Sequence, residues 1–341
     1  MTVAEPPQIN QRPLFGVLTG TWLSQAGYVV CELGVADHLS DEPRDIAEVA
    51  AAVGAHPDSL YRVMRALSAV GVFMETGPRH FALNDEGRML RSDSPSSFKH
   101  FILLNGLEHI KLFAELLPSV RSGRPASEKV YGKHLYDYIG EHPELRDHFF
   151  AAHGRTAPRV AMAALSEMDF SGARTVVDLG GGDGALLEHV LKDNPHLKGV
   201  LFDLPDTLPY ARERLAAQGL IDRCELVGGS FFDSVPPDGD VYVLAHCLHN
   251  WNDEKSAELL ATIRATMPPH ARLLVLEHLL EGEGFSLAKL IDLLMMAVDG
   301  RERSEEEVRV LLDKSGFEVR SVRSVLFPGL PSDSVIEAVP V

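Results

Sequence analysis

From Arg174 onwards, the chain alternates short apolar runs with longer amphipathic stretches. Short apolar runs bounded by turn signals are typical of buried strands, and their alternation with helical patterns predicts a mostly parallel α/β sheet. The predicted strands cover 175–179, 199–204, 224–229, 241–246, 272–278 and 317–325, with a last strand near 334–338. Because ligands bind at the carboxyl ends of parallel strands, we expect the functional residues to follow these runs.

The first half of the chain has a helical pattern of apolar positions. Residues 14–38 and 99–117 are apolar enough to predict buried helices. Between them, the sequence predicts a helix, a turn at 54–57, a second helix that Asp58 or Ser59 caps, and a short hairpin. One face of the second helix carries Leu60, Val63, Met64, Leu67 and Val70. This is the outline of a winged helix.

A winged helix can bind DNA or serve in self-association. The second helix offers only Arg62 and Arg65 as basic residues, and 49 Asp and Glu against 32 Lys and Arg leave a net charge of -17. Nucleic-acid binders carry a basic surface, so this balance opposes binding to a polyanion. We therefore favour a structural module, with a DNA-binding regulator as the alternative. A further helical stretch, 139–168, leads into the predicted sheet.

Composition adds limits on domain number and location. The 341 residues, 45% hydrophobic and 24% charged, suffice for two domains with a substantial core. Neither a run of about 20 apolar residues nor a signal peptide is evident, so we expect a cytoplasmic protein. Cys31, Cys224 and Cys247 are too few and too scattered for a disulfide framework or a zinc site.

The first predicted strand of the sheet runs into a glycine-rich loop, "VVDLGGGDG", over 176–184. Gly180, Gly182 and Ala185 satisfy the dinucleotide pattern G-x-G-x-x-G/A, and Asp203 follows at the distance of a ribose-binding acid. The glycine spacing alone is also compatible with another nucleotide cofactor or with a plain tight turn.

Acidic residues in this loop separate the alternatives. A pyrophosphate binds at a helix start that favours negative charge, yet Asp178 precedes the glycines and Asp183 lies among them. Two acids there would repel a phosphate. S-adenosylmethionine has no phosphate, and an acid at the strand end can assist its ammonium group. Asp203 would accept hydrogen bonds from ribose hydroxyls with either cofactor.

A second polar cluster follows the predicted strand 241–246. His249 is the candidate general base, and His246 lies in the same segment. Glu277 ends the next strand and Glu302 precedes the final helix, so the sheet topology would bring these residues to one edge. A carboxylate beside an imidazole orients it for proton removal. Alternatively, each residue serves a structural role or lies in a solvated charge run.

Six segments together resemble the S-adenosylmethionine-dependent O-methyltransferases of the caffeic acid and hydroxyindole type, in particular the bacterial branch that modifies aromatic antibiotics. They are "VVDLGGGDG", "FDLP", "GGSFFDSVP", "LHNWNDE", "LEHLL" and "GRERSEEE", in order from 176 to 307. With the winged-helix outline of the first half, the resemblance covers nearly the whole chain. The resemblance implies a Rossmann-like methyltransferase sheet and an amino-terminal winged-helix-like dimerisation domain, all-helical apart from the short hairpin. It implies domains at 1–100 for dimerisation, 101–170 as a helical linker lining the substrate pocket, and 171–341 for cofactor binding and catalysis.

The resemblance also implies roles for individual residues. His249 would be the base, flanked by Glu277 and Glu302. The implied cofactor-binding residues are Asp178, Gly180, Gly181, Gly182, Asp203, Leu204, Ser230, Phe231 and Ala245. The chain departs from the family where an Asp is usual, at Ser230 and Asn250, and has Asp299 where the family usually has glycine before Gly300.

The implied reaction is an in-line methyl transfer to a phenol. A phenol has a pKa of about 10, so His249 would remove its proton as the oxygen approaches the sulfonium methyl. No metal is required, and no tight ligand cluster is evident in the sequence. Asp203, Asp233 and Asp253 are explained as cofactor, turn and helix-start residues.

The acceptor pocket is expected to be apolar and suited to a flat ring. Its candidate lining residues are Phe149, Phe150, Met162, Met295, Met296 and Asp299, although Met and Phe on helices are more often ordinary core. The resemblance implies a hydroxylated polycyclic aromatic of the phenazine or polyketide type as the acceptor. It also implies a homodimer in which residues near Phe15 or Trp22 close the partner's pocket. The alternatives are a nicotinamide-dependent oxidoreductase and a methyltransferase-fold protein that acts at nitrogen or without methyl transfer.

Overall fold

The computed structural model describes residues 13–94, 96–153, 158–280, 282–284, 286–325 and 333–341. The chain forms two compact units, Met1–Lys111 with Glu144–Thr156, and Leu112–Pro143 with Ala157–Val341. Residues 101–170 are divided between these two units.

The amino-terminal elements are mostly helical. In chain order they are α1 (Pro13–Glu32), β1 (Arg44–Asp45), α2 (Ile46–Val53), α3 (Pro57–Ala69), β2 (Met74–Gly77), β3 (His80–Ala82), α4 (Asp85–Arg88) and α5 (Lys99–Leu104). The strands form a small antiparallel sheet in the order β1-β3-β2. This arrangement confirms the predicted helix, turn, helix and hairpin, and adds the third strand.

The turn between α2 and α3 has a different cap from the one predicted. Gly54 ends α2 with a φ of 68°, a left-handed conformation that favours glycine. The side chain of His56 accepts a hydrogen bond from the backbone N–H of Ser59, so His56 is the cap, and the prediction of Asp58 or Ser59 was wrong. The predicted apolar face of α3 is present, with its buried positions at Leu60, Met64 and Leu67.

The first half of helix α1 leaves its apolar side chains exposed. Leu14 and Val17 are 83% and 80% exposed, and only the end of the helix, at Gly27, Val30 and Cys31, is buried. By length and composition alone, α1 could cross a membrane, and it is the one helix in the described ranges that could. The prediction of a buried helix over 14–38 was therefore wrong for α1. The prediction that no run of about 20 apolar residues exists was also wrong for this segment.

The middle of the chain is a series of short helices. The predicted helix over 99–117 is divided, because a π-helical segment, Asn105–His109, follows α5. The helices that follow are α6 (Ile110–Ala114), α7 (Leu116–Ser122), α8 (Ala126–Tyr131), α9 (Leu135–Glu141), α10 (Pro143–His153) and α11 (Pro158–Ser166).

The carboxyl-terminal elements alternate as predicted. They are β4 (Thr175–Leu179), α12 (Ala185–Asp193), β5 (Lys198–Asp203), α13 (Leu208–Ala217), β6 (Cys224–Gly228), β7 (Val241–Ala245), α14 (Asp253–Thr266), β8 (Arg272–Glu277), α15 (Leu287–Ala297), α16 (Glu305–Lys314), β9 (Phe317–Val325) and β10 (Asp333–Pro340). Each of the seven predicted strands is confirmed, with small shifts at the ends.

These seven strands form one sheet in the order β6-β5-β4-β7-β8-β10-β9. Strands β4 to β8 are parallel, and β10 is antiparallel to both of its neighbours. Alternate residues of β4 enter different hydrophobic cores, with Val176 in one and Val177 and Leu179 in the other. Burial of both faces explains the continuous apolar runs that predicted the strands.

Candidate active site

The glycine loop follows the end of β4 and has an unusual backbone. Gly180, Gly182 and Gly184 have φ values of 70°, 58° and 80°, which side-chain-bearing residues rarely adopt. The backbone N–H of Gly180 donates to the carbonyl of Phe202 over 2.8 Å, which holds the loop against the end of β5. A Cβ atom on Gly181 would lie 2.8 Å from Asp178 Oδ2. Glycine at 181 therefore lets the loop backbone lie close to the Asp178 carboxylate.

Asp178 is a buried carboxylate without a hydrogen-bond partner at one oxygen. Asp178 is 3% exposed, and its Oδ2 makes no hydrogen bond to any described residue. Burial raises the pKa of Asp178 to about 7, and the carboxylates of Asp203 and Asp183 add to the effect. A buried acid of this kind is stabilised by a cation, so the site fits the ammonium group of an amino-acid ligand.

The second acid of the loop is already neutralised. Arg214 donates two hydrogen bonds to Asp183 Oδ2, over 2.6 Å from Nη2 and 3.1 Å from Nε. The argument that both acids would repel a phosphate therefore applies only to Asp178. Arg214 itself lies on α13, and no local sequence pattern indicated the pairing.

Asp203 connects the end of β5 to the glycine loop. Its Oδ2 accepts the backbone N–H of Gly182 over 2.8 Å, and its Oδ1 accepts that of Leu204 over 2.7 Å. Burial raises the pKa of Asp203, and these hydrogen bonds oppose the shift. Each carboxylate oxygen has a second lone pair, so both can still accept from ribose hydroxyls. The side chain of Leu204 is 46% exposed beside them.

The remaining predicted cofactor residues differ in how near they lie to the loop. A Cβ atom on Gly180 would lie 3.8 Å from the Phe231 ring, so Phe231 borders the glycine loop. Ser230 is part of a turn, in which its Oγ accepts the backbone N–H of Phe232 over 3.3 Å. Ala245 ends β7 and is partly buried against the hydrophobic core. The structure thus brings Phe231 to the loop and gives Ser230 a local partner.

His249 lies in a short 3-10 segment after β7, between two buried glutamates. Its Nδ1 is 2.8 Å from Glu302 Oε1 and 3.6 Å from Glu277 Oε2. Glu277 Oε1 accepts the backbone N–H groups of Leu248 and His249 over 2.8 and 3.3 Å. The predicted convergence of the three residues at one edge of the sheet is therefore present, and the two glutamates act on different parts of the histidine.

The electrostatics favour an uncharged imidazole. Burial lowers the pKa of His249 to about 4, the Glu277 carboxylate opposes this shift, and His246 adds to it. Burial also raises the pKa of Glu302 to about 7. When Glu302 is ionised, it accepts the Nδ1–H of His249, which leaves the Nε2 lone pair free to take a proton.

The backbone after α15 holds Glu302 in place. The N–H of Glu302 donates to Asp292 Oδ1 over 2.8 Å, and the N–H of Arg301 donates to the carbonyl of His249 over 2.8 Å. A Cβ atom on Gly300 would collide with that same carbonyl. The close approach of these two backbone segments therefore sets the distance between the imidazole and Glu302.

The predicted acceptor residues are distributed over both units. Phe149 and Phe150 belong to the first unit, where Phe149 stacks on His153 with ring centroids 4.1 Å apart. Met162 and Met295, in the second unit, are largely in the core, and their part in acceptor binding stays a prediction. In the same unit, Met296 is 36% exposed and Asp299 Oδ2 accepts from Asn252 over 3.0 Å.

The structure adds residues that the sequence patterns did not indicate. Tyr136 is partly buried, and desolvation raises its pKa, with contributions from Cys247, Asp203 and Glu277. Its hydroxyl therefore lies within electrostatic range of both the cofactor-side and the base-side acids. A cluster of two histidines and one acid also forms beside His249, although the sequence showed no tight ligand set.

Two family models match the chain. The model described as "O-methyltransferase domain" matches residues 113–318, and that described as "O-methyltransferase dimerisation domain" matches residues 15–93. The first match alone spans more than half of the chain.

Individual relatives match over nearly their whole length. The phenazine O-methyltransferase of Lysobacter antibioticus is 39% identical over 330 residues, which are 96% of this chain and 96% of the relative. The solved mitomycin 7-O-methyltransferase is 34% identical, with a TM-score of 0.88 and coverage of 97% and 98%. An O-methyltransferase from neocarzinostatin biosynthesis, solved with S-adenosyl-L-homocysteine and 1,4-dihydroxy-2-naphthoic acid, is 31% identical, with a TM-score of 0.81 and coverage of 93% and 96%.

Proposed function

The chain belongs to the S-adenosylmethionine-dependent O-methyltransferases, and from that premise we propose that it methylates a phenolic hydroxyl of a polycyclic aromatic metabolite of the phenazine or polyketide type, with His249 as general base. The observation that carries the proposal is the 2.8 Å contact between His249 Nδ1 and Glu302 Oε1. Family membership excludes the nicotinamide-dependent oxidoreductase considered from the glycine pattern.

The residues at the carboxyl ends of β4 and β5 would hold the cofactor. Asp178 would take the ammonium group of the methionine portion, for which its buried, unpartnered oxygen is suited. The backbone of 180–182 would approach the same portion, but its N–H groups already donate to Phe202 and Asp203. Asp203 would accept from the ribose hydroxyls, and Phe231 would lie beside the adenine. Ser230 and Ala245 would line the cofactor less directly.

The reaction needs proton removal and positioning from the protein. The methyl donor supplies an activated methyl group on a sulfonium sulfur. His249 Nε2 would take the proton of the acceptor hydroxyl, which makes its oxygen a stronger nucleophile. Glu302 would keep the other ring nitrogen protonated and would stabilise the imidazolium that forms. Glu277 would hold the backbone of the histidine segment.

The acceptor class follows from the relatives and from the apolar residues predicted for the pocket. The relatives act on a phenazine or a mitomycin, or are solved with a naphthoic acid, which supports a flat hydroxylated ring system. Met162, Met295, Met296 and Asp299, all in the second unit, are the proposed lining residues. Thioether side chains suit such a ring.

Self-association through the amino-terminal unit is part of the proposal. The exposed apolar face of α1 lies within the region that the dimerisation-domain model matches. A homodimer would bury Leu14, Val17 and Leu18, which are 83%, 80% and 59% exposed in one chain. We therefore assign this face to a second copy of the chain. The other proposed partner is the small aromatic acceptor, and we propose neither a nucleic-acid nor a membrane partner. The proposed location is the cytoplasm.

A panel of acceptors tests the proposed function. Purified protein is incubated with S-adenosylmethionine and hydroxylated phenazines, naphthoates or simple catechols, and products are identified by a mass gain of one methylene. We expect O-methylation of a polycyclic phenol. Methylation at a ring nitrogen, or S-adenosylhomocysteine binding without any methylated product across the panel, would refute the proposed reaction.

A further inference from the structure

Three residues from neighbouring strands meet beside His249. His246 follows β7, His278 follows β8 and Asp333 begins β10, and these strands are adjacent in the sheet. His278 Nδ1 lies 2.8 Å from Asp333 Oδ1, and His246 Nε2 lies 3.3 Å from the same oxygen. The two imidazole rings are 4.4 Å apart. Two ring nitrogens thus face one carboxylate oxygen.

Some polar atoms of this cluster are buried and lack hydrogen-bond partners, although they lie close to one another. Asp333 is fully buried, and neither of its carboxylate oxygens, nor His246 Nε2, makes a hydrogen bond to any residue in the described ranges. Leaving such atoms unsatisfied costs on the order of 1 to 3 kcal/mol each. Ligand atoms that converge on a common cation approach one another to roughly 3 Å without being aligned as donor and acceptor.

The backbone of His246 is held in an uncommon conformation. Its φ is 51°, in the left-handed region that residues with a side chain seldom adopt. Strained residues of this kind concentrate at binding and catalytic sites, where the surrounding structure enforces a side-chain position. The conformation turns the segment after β7 so that the imidazole reaches Asp333.

An ion pair is the competing account of this cluster. Burial lowers the pKa of His246, but Asp333 outweighs burial and raises it to about 9. A protonated His246 would neutralise Asp333 without any ligand. Both ion-pair contacts are to Oδ1 of Asp333, however, and that account leaves the buried Oδ2 without a partner among the described atoms. The nearby acids Glu277 and Glu302 add negative charge around the same group of histidines.

We propose that His246, His278 and Asp333 form a binding site for a divalent transition-metal ion. Two imidazoles and one carboxylate are ligands that Zn²⁺, Fe²⁺ and Co²⁺ prefer, and three protein ligands leave positions open for water or an acceptor oxygen. The His246 ring lies 5.6 Å from the His249 ring, so the metal site adjoins the base without using it as a ligand. The inference does not depend on the proposed methyl transfer.

Metal binding to the full-length chain, prepared without a polyhistidine tag and treated with a chelator, tests the proposal. Zn²⁺ binding is measured by calorimetry and Co²⁺ binding by its visible absorption, which reports nitrogen and oxygen ligands. We expect one equivalent per chain in the wild type, and affinity lower by about tenfold or more in His246→Gln and His278→Gln. Asp333→Asn should lose the site as well.

His270→Gln is the matched control. His270 Nε2 lies 3.2 Å from Asp240 Oδ1, nearly the same distance as in the proposed site, but the His270 side chain is 65% exposed. S-adenosylhomocysteine binding and thermal melting check that each variant is folded. If Asp333→Asn does not fold, His246→Gln still tests the site. Equal metal affinity in wild type and folded His246→Gln, or an equal loss in His270→Gln, would overturn the assignment.

Discussion

The Nδ1 atom of His249 lies 2.8 Å from Oε1 of Glu302, 53 residues later in the chain. The second glutamate, Glu277, instead binds the backbone N–H groups of Leu248 and His249. One acid thus determines which ring nitrogen of His249 is protonated, and the other holds the segment that carries it. Separate experimental effects follow for the two glutamates.

Replacing His249 by alanine removes the proposed base. We expect the turnover number to fall by roughly 10² to 10⁴, the usual contribution of a positioned base. Affinity for S-adenosylhomocysteine should be nearly unchanged, because His249 is not among the proposed cofactor residues. Steady-state kinetics and calorimetry measure the two quantities, and full activity in this variant would refute the role of His249.

Glu302→Gln should act on catalysis, and Glu277→Gln should act also on stability. Glutamine at 302 removes the negative charge that orients Nδ1–H, so we expect a loss of about 1 to 3 kcal/mol in transition-state stabilisation, about 5- to 150-fold in the turnover number. Glutamine at 277 weakens two backbone hydrogen bonds and should also lower the melting temperature. Kinetics and thermal melting of both variants check this, and identical profiles would contradict the division of roles.

Asp178 should make the stability of the cofactor-free protein depend on pH. The folded-state pKa, about 7, lies above the ordinary value of 3.8, so the folded protein retains a proton that the unfolded chain has released. The contribution of Asp178 to the free energy of unfolding is fully present below about pH 4. It is lost as the pH rises through 7, which lowers the free energy of unfolding by up to about 4 kcal/mol.

Urea unfolding between pH 4 and pH 8, compared with Asp178→Asn, measures this contribution. The asparagine variant should lack the part of the pH-dependent loss of stability that Asp178 causes, and it should bind S-adenosylhomocysteine more weakly. Addition of S-adenosylhomocysteine should offset the decline in the wild type only, because its ammonium group stabilises the ionised carboxylate. Parallel stability curves for the two proteins would contradict the raised pKa.

Gly300→Ala should displace the catalytic segment. The added Cβ would collide with the backbone carbonyl of His249 and with the backbone of Asn250, so the segments must separate. We expect destabilisation of about 1 to 3 kcal/mol and a lower turnover number. Gly140→Ala is the control, since it lies in α9 with nothing within 4 Å of the added atom. That change should stabilise the protein by up to about 1 kcal/mol in urea unfolding.

Leu18→Asp should weaken self-association. An aspartate on the exposed apolar face of α1 would have to be buried in a homodimer, at a cost that the single chain does not incur. Val310→Asp is the control, because Val310 is 46% exposed on α16, outside the dimerisation region. Sedimentation equilibrium should show the first variant dissociating at concentrations where the second and the wild type do not. Equal dissociation of all three proteins would contradict the proposed interface.

Local sequence patterns determined much of the fold. The strands were predictable because parallel strands with both faces buried require continuous apolar runs, as in β4. The glycine loop was predictable because only glycine adopts its backbone angles readily. His249, Glu277 and Glu302 could be placed at one sheet edge because the carboxyl ends of parallel strands lie there.

Contacts between distant segments were decided only by the tertiary structure. No local pattern indicated that Arg214 would neutralise Asp183, or that the apolar face of α1 would stay exposed in one chain. Asp333 meets His246 and His278 because β10 lies antiparallel beside β8, and sheet order is a property of the assembled core. Sequence periodicity reports which face of an element is buried, whereas the partners of a buried charge depend on which elements become neighbours.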